Sequence, residues 1–408
     1  MSIIENLIPP KGPVRILVAS MVGRSIGYGI LLSVVVLYFT RSVGISAAEL
    51  GIGLTIAAIL KILASVPAGH LTDRLGSRTS AISFVVLQGV LIAGYALADG
   101  FIGFIVMVSL VGMAESASEA ARGALIAGVI PPDERVQARA YLKSINNIGI
   151  SLGSVLGGIA LTYNSRLFYS VLLVGCGVLF VIGGLVYLAL PAVRRVPRPD
   201  GGPKWEVLRD PPFMAFGLIN AILVMNTGIL ALALPLWIVE RTSAPAVTFS
   251  AILVLNTVMV VLFQVRASRG SEDVAGGARA LRRCGVLLAA CCGLFAFAAD
   301  QPVWLALVFL GAGALVHVFG ELLYSAGTWA MAYDLAPEYA QGQYQGMFVM
   351  TTNLGNMLTP IAVTALVIGV GRVGWLAFAV VMLGAGLAAP TVGRWAQRTR
   401  TPAVAQPA

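Results

Sequence analysis

Residues 69–78 read GHLTDRLGSR, a polar stretch between two apolar stretches that are each long enough for a membrane-spanning helix of about 20 residues. Gly76 allows a tight turn, and Gly69 allows two helices to approach each other closely. Asp73 places a carboxylate at a helix end, where backbone N–H groups or an arginine can pair with it. We expect this stretch to be a turn that stays outside the membrane.

The composition of the whole chain is typical of a membrane protein. Of its 408 residues, 58% are hydrophobic and 11% are charged, and the mean hydropathy is +0.90. Ordinary globular domains carry about 25% charged residues, so this composition excludes a soluble enzyme. Alternation at period two is missing, which favours helices over a membrane barrel.

Twelve apolar stretches are long enough to cross a bilayer as helices. The sequence therefore predicts an all-α membrane protein of 12 transmembrane helices in two pseudo-symmetric six-helix halves. The predicted spans are 14–40, 47–71, 79–98, 101–129, 138–163, 167–190, 213–239, 246–265, 281–299, 302–333, 343–369 and 373–393.

A polar stretch rich in proline separates the two predicted halves. We predict an N-terminal half over 1–190, a cytoplasmic linker over 191–212 and a C-terminal half over 213–408. Repeated segments support this division, because NNIG at 146–149 has a counterpart, TNLG, at 352–355. The spacing between them is close to half the chain length.

Basic residues are distributed unevenly between the two sides of the predicted spans. Nineteen of the 27 lie in or next to the connections on one side, and four lie on the other side. By the positive-inside rule, we predict a multi-pass protein of the plasma membrane with both termini in the cytoplasm. The net charge of +9 then needs no nucleic acid, and membrane lipids are the expected partners of a monomer.

The decapeptide at 69–78 resembles the signature loop of the major facilitator superfamily, roughly G-x-x-x-D-R-x-G-R-R/K. Ser77 departs from it, because the family usually has a basic residue there. The resemblance implies a transporter, with a substrate cavity between two halves that rock against each other. In the family, this loop is thought to latch the cytoplasmic faces of the halves. The candidate latch residues are Gly69, Asp73, Arg74, Gly76 and Arg78, together with Arg122 as a partner for Asp73.

A second motif, GISLGSVLGG at 149–158, places glycines on one face of the fifth span. It is similar to the glycine motif of the drug and proton antiporters of the same superfamily, except that Ser154 stands where proline is usual. Small residues at this spacing also serve plain helix packing, and that alternative stays open. The helix-packing candidates are Gly149, Gly153, Gly157 and Gly158.

Acidic residues and a histidine within the spans are the candidates for proton coupling, because a charge at a helix centre costs about 2.5 to 3.5 kcal/mol. Glu321, in FGELLYSAG, resembles the G-E-x-x-Y feature of some multidrug proton antiporters, which implies a proton-coupling role; the alternative is a permanently paired structural residue. His317 lies one turn earlier, as part of a proton relay or as a packing residue. Glu115 and Glu119 are predicted to bind protons or substrate, unless Glu119 forms an ion pair with Arg122.

Basic and aromatic residues within the spans are the candidates for the substrate cavity. Arg24, Lys61 and Lys143 can accept an anionic substrate or pair with the glutamates. Tyr28 and Tyr324 can bind an amphipathic molecule or serve packing. No cofactor and no metal site are predicted, because the residues show no metal-ligand spacing.

The leading hypothesis is a secondary active transporter that exports small amphipathic organic compounds in exchange for protons. One alternative is a proton-coupled symporter that takes up a sugar, a peptide or an organic anion. The alternative from another class is a membrane sensor or scaffold that does not transport. The absence of a nucleophile and base set predicts that the chain is not an enzyme.

Overall fold

The computed structural model describes residues 9–160, 165–194, 196–199 and 203–400, and every regular element in these ranges is helical. In chain order the long helices are α1 Pro13–Val43, α2 Ala47–Leu75, α3 Ser77–Leu97, α4 Gly100–Val129, α5 Arg135–Ala160, α6 Arg166–Ala189, α7 Pro211–Arg241, α8 Val247–Ala267, α9 Val274–Phe297, α10 Val303–Asp334, α11 Glu338–Ile368 and α12 Arg372–Thr399.

Eleven of the described helices are long and apolar enough to cross a membrane, one fewer than predicted. The exception, α5, corresponds to the predicted span 138–163, of which 161–163 lie outside the described residues. Its N-terminal turns carry Arg135, Arg139 and Lys143, so it is more polar than the other helices. The all-helical membrane class is supported, whereas a count of twelve spans is not shown.

Three of the described helices contain a π-helical segment. Single π-helical segments occupy Tyr38–Val43 in α1, Ile229–Ala233 in α7 and Val363–Ile368 in α11. In α7 the regular part Pro211–Leu223 also ends in a turn at 224–225 before the chain continues. Such irregularities free backbone carbonyls from their usual donors and often occur at functional sites.

The chain divides into two compact units. Unit 1 comprises Met1–Trp205 and Ala336–Asn353, and unit 2 comprises Glu206–Leu335 and Leu354–Ala408. Unit 1 thus includes the beginning of α11, which the sequence placed in the C-terminal half. The boundaries proposed from the sequence remain a prediction.

The two repeated segments make the same kind of helix contact in their respective units. In unit 1, α5 packs against α1 at Gly149, where an added Cβ would lie 2.3 Å from the Cβ of Ser25. In unit 2, α11 packs against α7 at Gly355, where an added Cβ would lie 2.3 Å from the carbonyl O of Ala221. Both contacts need a residue without a side chain, because each brings one helix onto another at backbone distance.

Candidate functional site

The stretch at 69–78 forms the end of α2, a single-residue turn and the start of α3. Gly76 ends α2 with a φ of +95°, a conformation that favours glycine, and α3 begins at the next residue. One face of this end of α2 contacts α11. An added Cβ at Gly69 would lie only 2.1 Å from the carbonyl O of Gly342.

The carboxylate of Asp73 caps the N-terminus of the regular part of α11. Its two oxygens accept the backbone N–H groups of Gly342, at 2.6 Å, and Gln343, at 3.0 Å. Backbone N–H groups in the first turn of a helix lack intrahelical acceptors and carry partial positive charge. Asp73 therefore ties α2 to a segment 269 residues later in the chain, inside unit 1.

The basic residues of the signature turn have different partners. Arg78 donates through Nε to the carbonyl O of Tyr187, at 3.2 Å, and through a second nitrogen to the carbonyl O of Leu188. These carbonyls lie in the last turn of α6, so Arg78 satisfies acceptors that the helix itself leaves open. Arg74 is exposed.

Arg122 does not contact Asp73, contrary to the pairing predicted for the latch. Its guanidinium donates to the sulfur of Met21 at 3.5 Å, and its buried Nε has no hydrogen-bond partner in the described part of the chain. The two oxygens of Asp73 are already occupied by backbone donors, which removes the need for a cationic partner. Glu119 likewise forms no ion pair with Arg122 among the described residues.

An ion pair joins α2 and α4 in unit 1. Lys61 Nζ lies 3.0 Å from Glu115 Oε2, and each side chain keeps about a fifth of its surface exposed. A hydrogen bond of 3.1 Å between Ser65 and Ser116 lies next to it, and Ser116 also donates to the Lys61 carbonyl. The structure therefore brings together a predicted cavity residue and a predicted proton-coupling residue as a pair.

Two further predicted residues lie in the electrostatic field of this ion pair. Tyr28, from α1, interacts with Glu115 and Lys61, and Glu119 interacts with both Tyr28 and Lys61. Both are partly buried, as is Lys143 on α5. The four predicted residues Tyr28, Lys61, Glu115 and Glu119 therefore lie near one another in unit 1, on α1, α2 and α4, and two of them are in direct contact.

Arg24 is buried between α1 and α6, with 6% of its surface exposed. Its guanidinium donates to the hydroxyl of Tyr187 at 3.2 Å and lies 5.5 Å from the ring centroid of Phe180. The aliphatic part of the Arg24 side chain packs against Gly183, where an added Cβ would lie 2.7 Å from Arg24 Cγ. The arginine is held by a hydroxyl and an aromatic face, both neutral partners.

Glu321 accepts a hydrogen bond from Asn256, a residue that the sequence analysis missed. The Asn256 amide nitrogen on α8 lies 3.0 Å from Glu321 Oε2 on α10. Lys61 and Glu115 lie on α2 and α4, and Asn256 and Glu321 lie on α8 and α10. In the predicted repeat of six helices, α8 and α10 correspond to α2 and α4. The sequence-based candidates for proton coupling and for the cavity within the spans were ionisable or aromatic residues, so this neutral amide was not among them.

His317 is fully buried and contacts α7. Its Nε2 lies 3.0 Å from the carbonyl O of Asn226, which can only accept, so this nitrogen carries the proton. Asn226 follows directly after the break in α7, where backbone carbonyls lose their helical donors. The hydrogen-bond partner of His317 is thus α7, and no hydrogen bond joins His317 to Glu321 in the described part of the chain.

Tyr324 makes a second contact from α10 to α7. Its hydroxyl donates to the side-chain oxygen of Asn220 at 2.9 Å, and 8% of the residue is exposed. Asn220 lies before the break in α7 and Asn226 after it. Two side chains on α10, seven residues apart, therefore hold α7 on both sides of its break.

Two of the three remaining glycines of the fifth span contact α1. An added Cβ would lie 2.1 Å from the Ile26 carbonyl O at Gly153 and 2.8 Å from Ser33 Cβ at Gly157. Around Gly158 no atom lies within 4 Å of an added Cβ, so the structure does not place this residue in the contact. Its position on the helix explains this, because residue 158 is rotated by about 100° from residue 157.

With eleven helices of membrane-spanning length among its described residues, the chain is a multi-pass membrane protein. The chain belongs to the Major Facilitator Superfamily, whose family model matches residues 17–360. This confirms the family that the signature stretch predicted. Members of this family are transporters, so the chain is a transporter and not an enzyme.

Similar sequences cover most or half of the chain. An uncharacterized MFS-type transporter of Bacillus subtilis, YhjO, is 23% identical over 342 residues, which cover 80% of this chain and 79% of that protein. The multidrug resistance protein MdtH of Yersinia enterocolitica is 24% identical over 225 residues, which cover 54% of this chain and 55% of that protein.

Solved structures share the fold over nearly the whole chain. The transporter FucP of E. coli in its outward conformation has a TM-score of 0.74 at 15% identity, with 95% of this chain and 99% of FucP covered. The human organic anion transporter MFSD10 has a TM-score of 0.68 at 14% identity, with 92% and 98% covered. At these identities the likeness shows the fold alone.

Proposed function

We propose that this transporter exports small amphipathic organic compounds in exchange for protons, by alternating access in the plasma membrane, with both termini in the cytoplasm. The name of the Yersinia relative, a multidrug resistance protein, supports the substrate class. The glutamate in the tenth span supports proton coupling. The distribution of basic residues supports the orientation.

Glu115 and Glu321 lie on corresponding helices of the two units but have different hydrogen-bond donors. This difference supports the assignment of the proton site. In unit 1 an ammonium group faces Glu115, whereas in unit 2 the amide of Asn256 faces Glu321. Protonating Glu115 would leave the charge of Lys61 uncompensated, which is costly away from water. An amide N–H can donate to a carboxylate or to a protonated carboxyl group, so its bond to Glu321 survives both states. Glu321 is therefore the residue that takes up and releases the coupling proton.

The experiment is transport in inside-out vesicles with an imposed pH gradient. Amphipathic cations, neutral compounds and anions are screened with the wild type, Glu321→Gln and Glu115→Gln. We expect Glu321→Gln to abolish gradient-driven uptake into the vesicles while it retains exchange of labelled for unlabelled substrate. Retained gradient-driven transport in Glu321→Gln would refute the assignment of the proton site.

The substitution Asn256→Lys tests the same comparison from the other side. It gives unit 2 the ammonium–carboxylate pair of unit 1, so we expect it to hold Glu321 ionised and to reduce coupling as Glu321→Gln does. Asn256→Gln keeps the amide and should retain coupling.

Transport in vesicles also distinguishes the alternative functions. Gradient-driven accumulation in right-side-out vesicles would support uptake by symport, and the absence of flux for every compound would support a sensor or scaffold.

A further inference from the structure

A groove of about 470 Å³ lies on unit 2 among α8, α9 and α10. Its walls are apolar except for one residue, Arg266. Phe263 and Phe319 form part of the walls, with ring centroids 6.4 Å apart, and Leu287 and Val316 contribute from α9 and α10. The volume is within the range of about 300 to 1,000 Å³ that is usual for ligand sites.

The groove opens on an apolar face of the membrane protein. Phe319 keeps 44% of its surface exposed, and Leu315, one turn away on α10, keeps 42%. Leu322 lines the groove and belongs to a buried cluster with Val260 and Val318, against which Phe263 packs. Water finds no hydrogen-bond partners in such a cavity, so the suitable occupant of this groove is a hydrocarbon chain.

Arg266 supplies the polar end of the groove. It is the second-to-last residue of α8, it is exposed, and no hydrogen bond or ion pair engages its guanidinium among the described residues. A guanidinium group binds phosphate oxygens in a bidentate manner. No acidic residue lines the groove, so a headgroup that carries an ammonium group finds no partner for it.

We propose that this groove binds an anionic phospholipid, with an acyl chain along Phe263, Leu287 and Val316 and the phosphate group on Arg266. The occupant is defined by two features together, an apolar groove open to the bilayer and, at its end, the guanidinium of Arg266, which pairs with no described residue. The proposal does not depend on the direction or coupling of transport.

Native mass spectrometry of the purified full-length chain tests the proposal. The chain is equilibrated with equal amounts of dioleoyl phosphatidylglycerol and dioleoyl phosphatidylcholine, and the lipids that it retains are counted. We expect the wild type to retain phosphatidylglycerol preferentially and Arg266→Gln to weaken that retention about fivefold, as expected for one arginine at a membrane surface. The matched control is Arg269→Gln, which removes the same charge three residues later, outside the groove, and should retain the preference.

Two further variants separate the groove from a general loss of folding. Val316→Trp fills the groove without changing charge and should lower the retention of both lipids. Arg266→Lys keeps the charge and should keep most of the preference, and Val316→Trp remains the test of the groove if Arg266→Gln does not fold. Equal retention of the two lipids by the wild type would overturn the proposal. Equal losses in Arg266→Gln and Arg269→Gln would also overturn it. So would a wild-type dimer that Val316→Trp dissociates, because the groove would then be a contact between two copies of the chain.

Discussion

Replacing Asp73 by asparagine is predicted to loosen the contact between α2 and the beginning of α11. The carboxylate accepts two backbone N–H groups, at 2.6 and 3.0 Å. Hydrogen bonds to a charged group contribute about 1.5 to 3 kcal/mol each, and those between neutral groups contribute about 0.5 to 1.5 kcal/mol. Asparagine keeps one acceptor oxygen and loses the charge, so the expected loss is roughly 2 to 4 kcal/mol.

Hydrogen exchange at the amides of Gly342 and Gln343 measures this loss directly. A loss of roughly 2 to 4 kcal/mol corresponds to exchange that is about 30 to 1,000 times faster. Asp73→Ala removes both acceptor oxygens and should exceed Asp73→Asn. Unchanged exchange at both amides in Asp73→Ala would refute the reasoning.

Asp273→Asn is a matched control in unit 2. Asp273 also caps a helix, because its carboxylate accepts the backbone N–H of Gly276 at 2.6 Å, but this contact spans three residues of one continuous segment. Its loss should therefore raise exchange only in the first turn of α9. Faster exchange at Gly342 in this variant would show that the effect is global and not specific to Asp73.

Three further predictions concern stability and are checked by thermal unfolding in one detergent. Lys61→Met should cost about 2 to 3 kcal/mol, because it leaves the Glu115 carboxylate unpaired, and the double variant with Glu115→Gln should recover most of the loss. Gly153→Ala should cost about 1 to 3 kcal/mol through overpacking against α1, whereas Gly158→Ala, with open space around it, should be neutral or stabilising. Tyr324→Phe should cost about 0.5 to 1.5 kcal/mol by removing the bond to α7, and an unchanged melting temperature would contradict that role.

Features that depend on composition or on local sequence were predictable. The apolar stretches predicted helices of membrane length, and the signature stretch predicted the family because its glycines and its aspartate serve a turn and a helix end. The count of spans was less secure. The first turns of α5, the helix predicted as the fifth span, carry Arg135, Arg139 and Lys143, and its described part is not among the helices apolar enough to cross a membrane.

Features that depend on contacts between distant segments were not predictable in the same way. The partner of Asp73 is the backbone of α11, and a search for partner side chains in the sequence does not consider backbone N–H groups. The donor to Glu321 is Asn256, a neutral residue that a search for charges passes over. The break in α7 before Asn226 is visible only once the helix is traced, although asparagine and glycine at 226 and 228 are residues that favour turns.

The contact between Asp73 and α11 has a consequence for how the chain is made. Ribosomes extend a chain by about 5 to 20 residues per second, so the 269 residues between the carboxylate and its first amide partner take roughly 13 to 54 s to synthesise. During that time the close approach at Gly69 and the acceptors of Asp73 have no partner. Unit 1 is therefore completed only after most of unit 2 has been made, and until then the carboxylate of Asp73 relies on water for its hydrogen bonds.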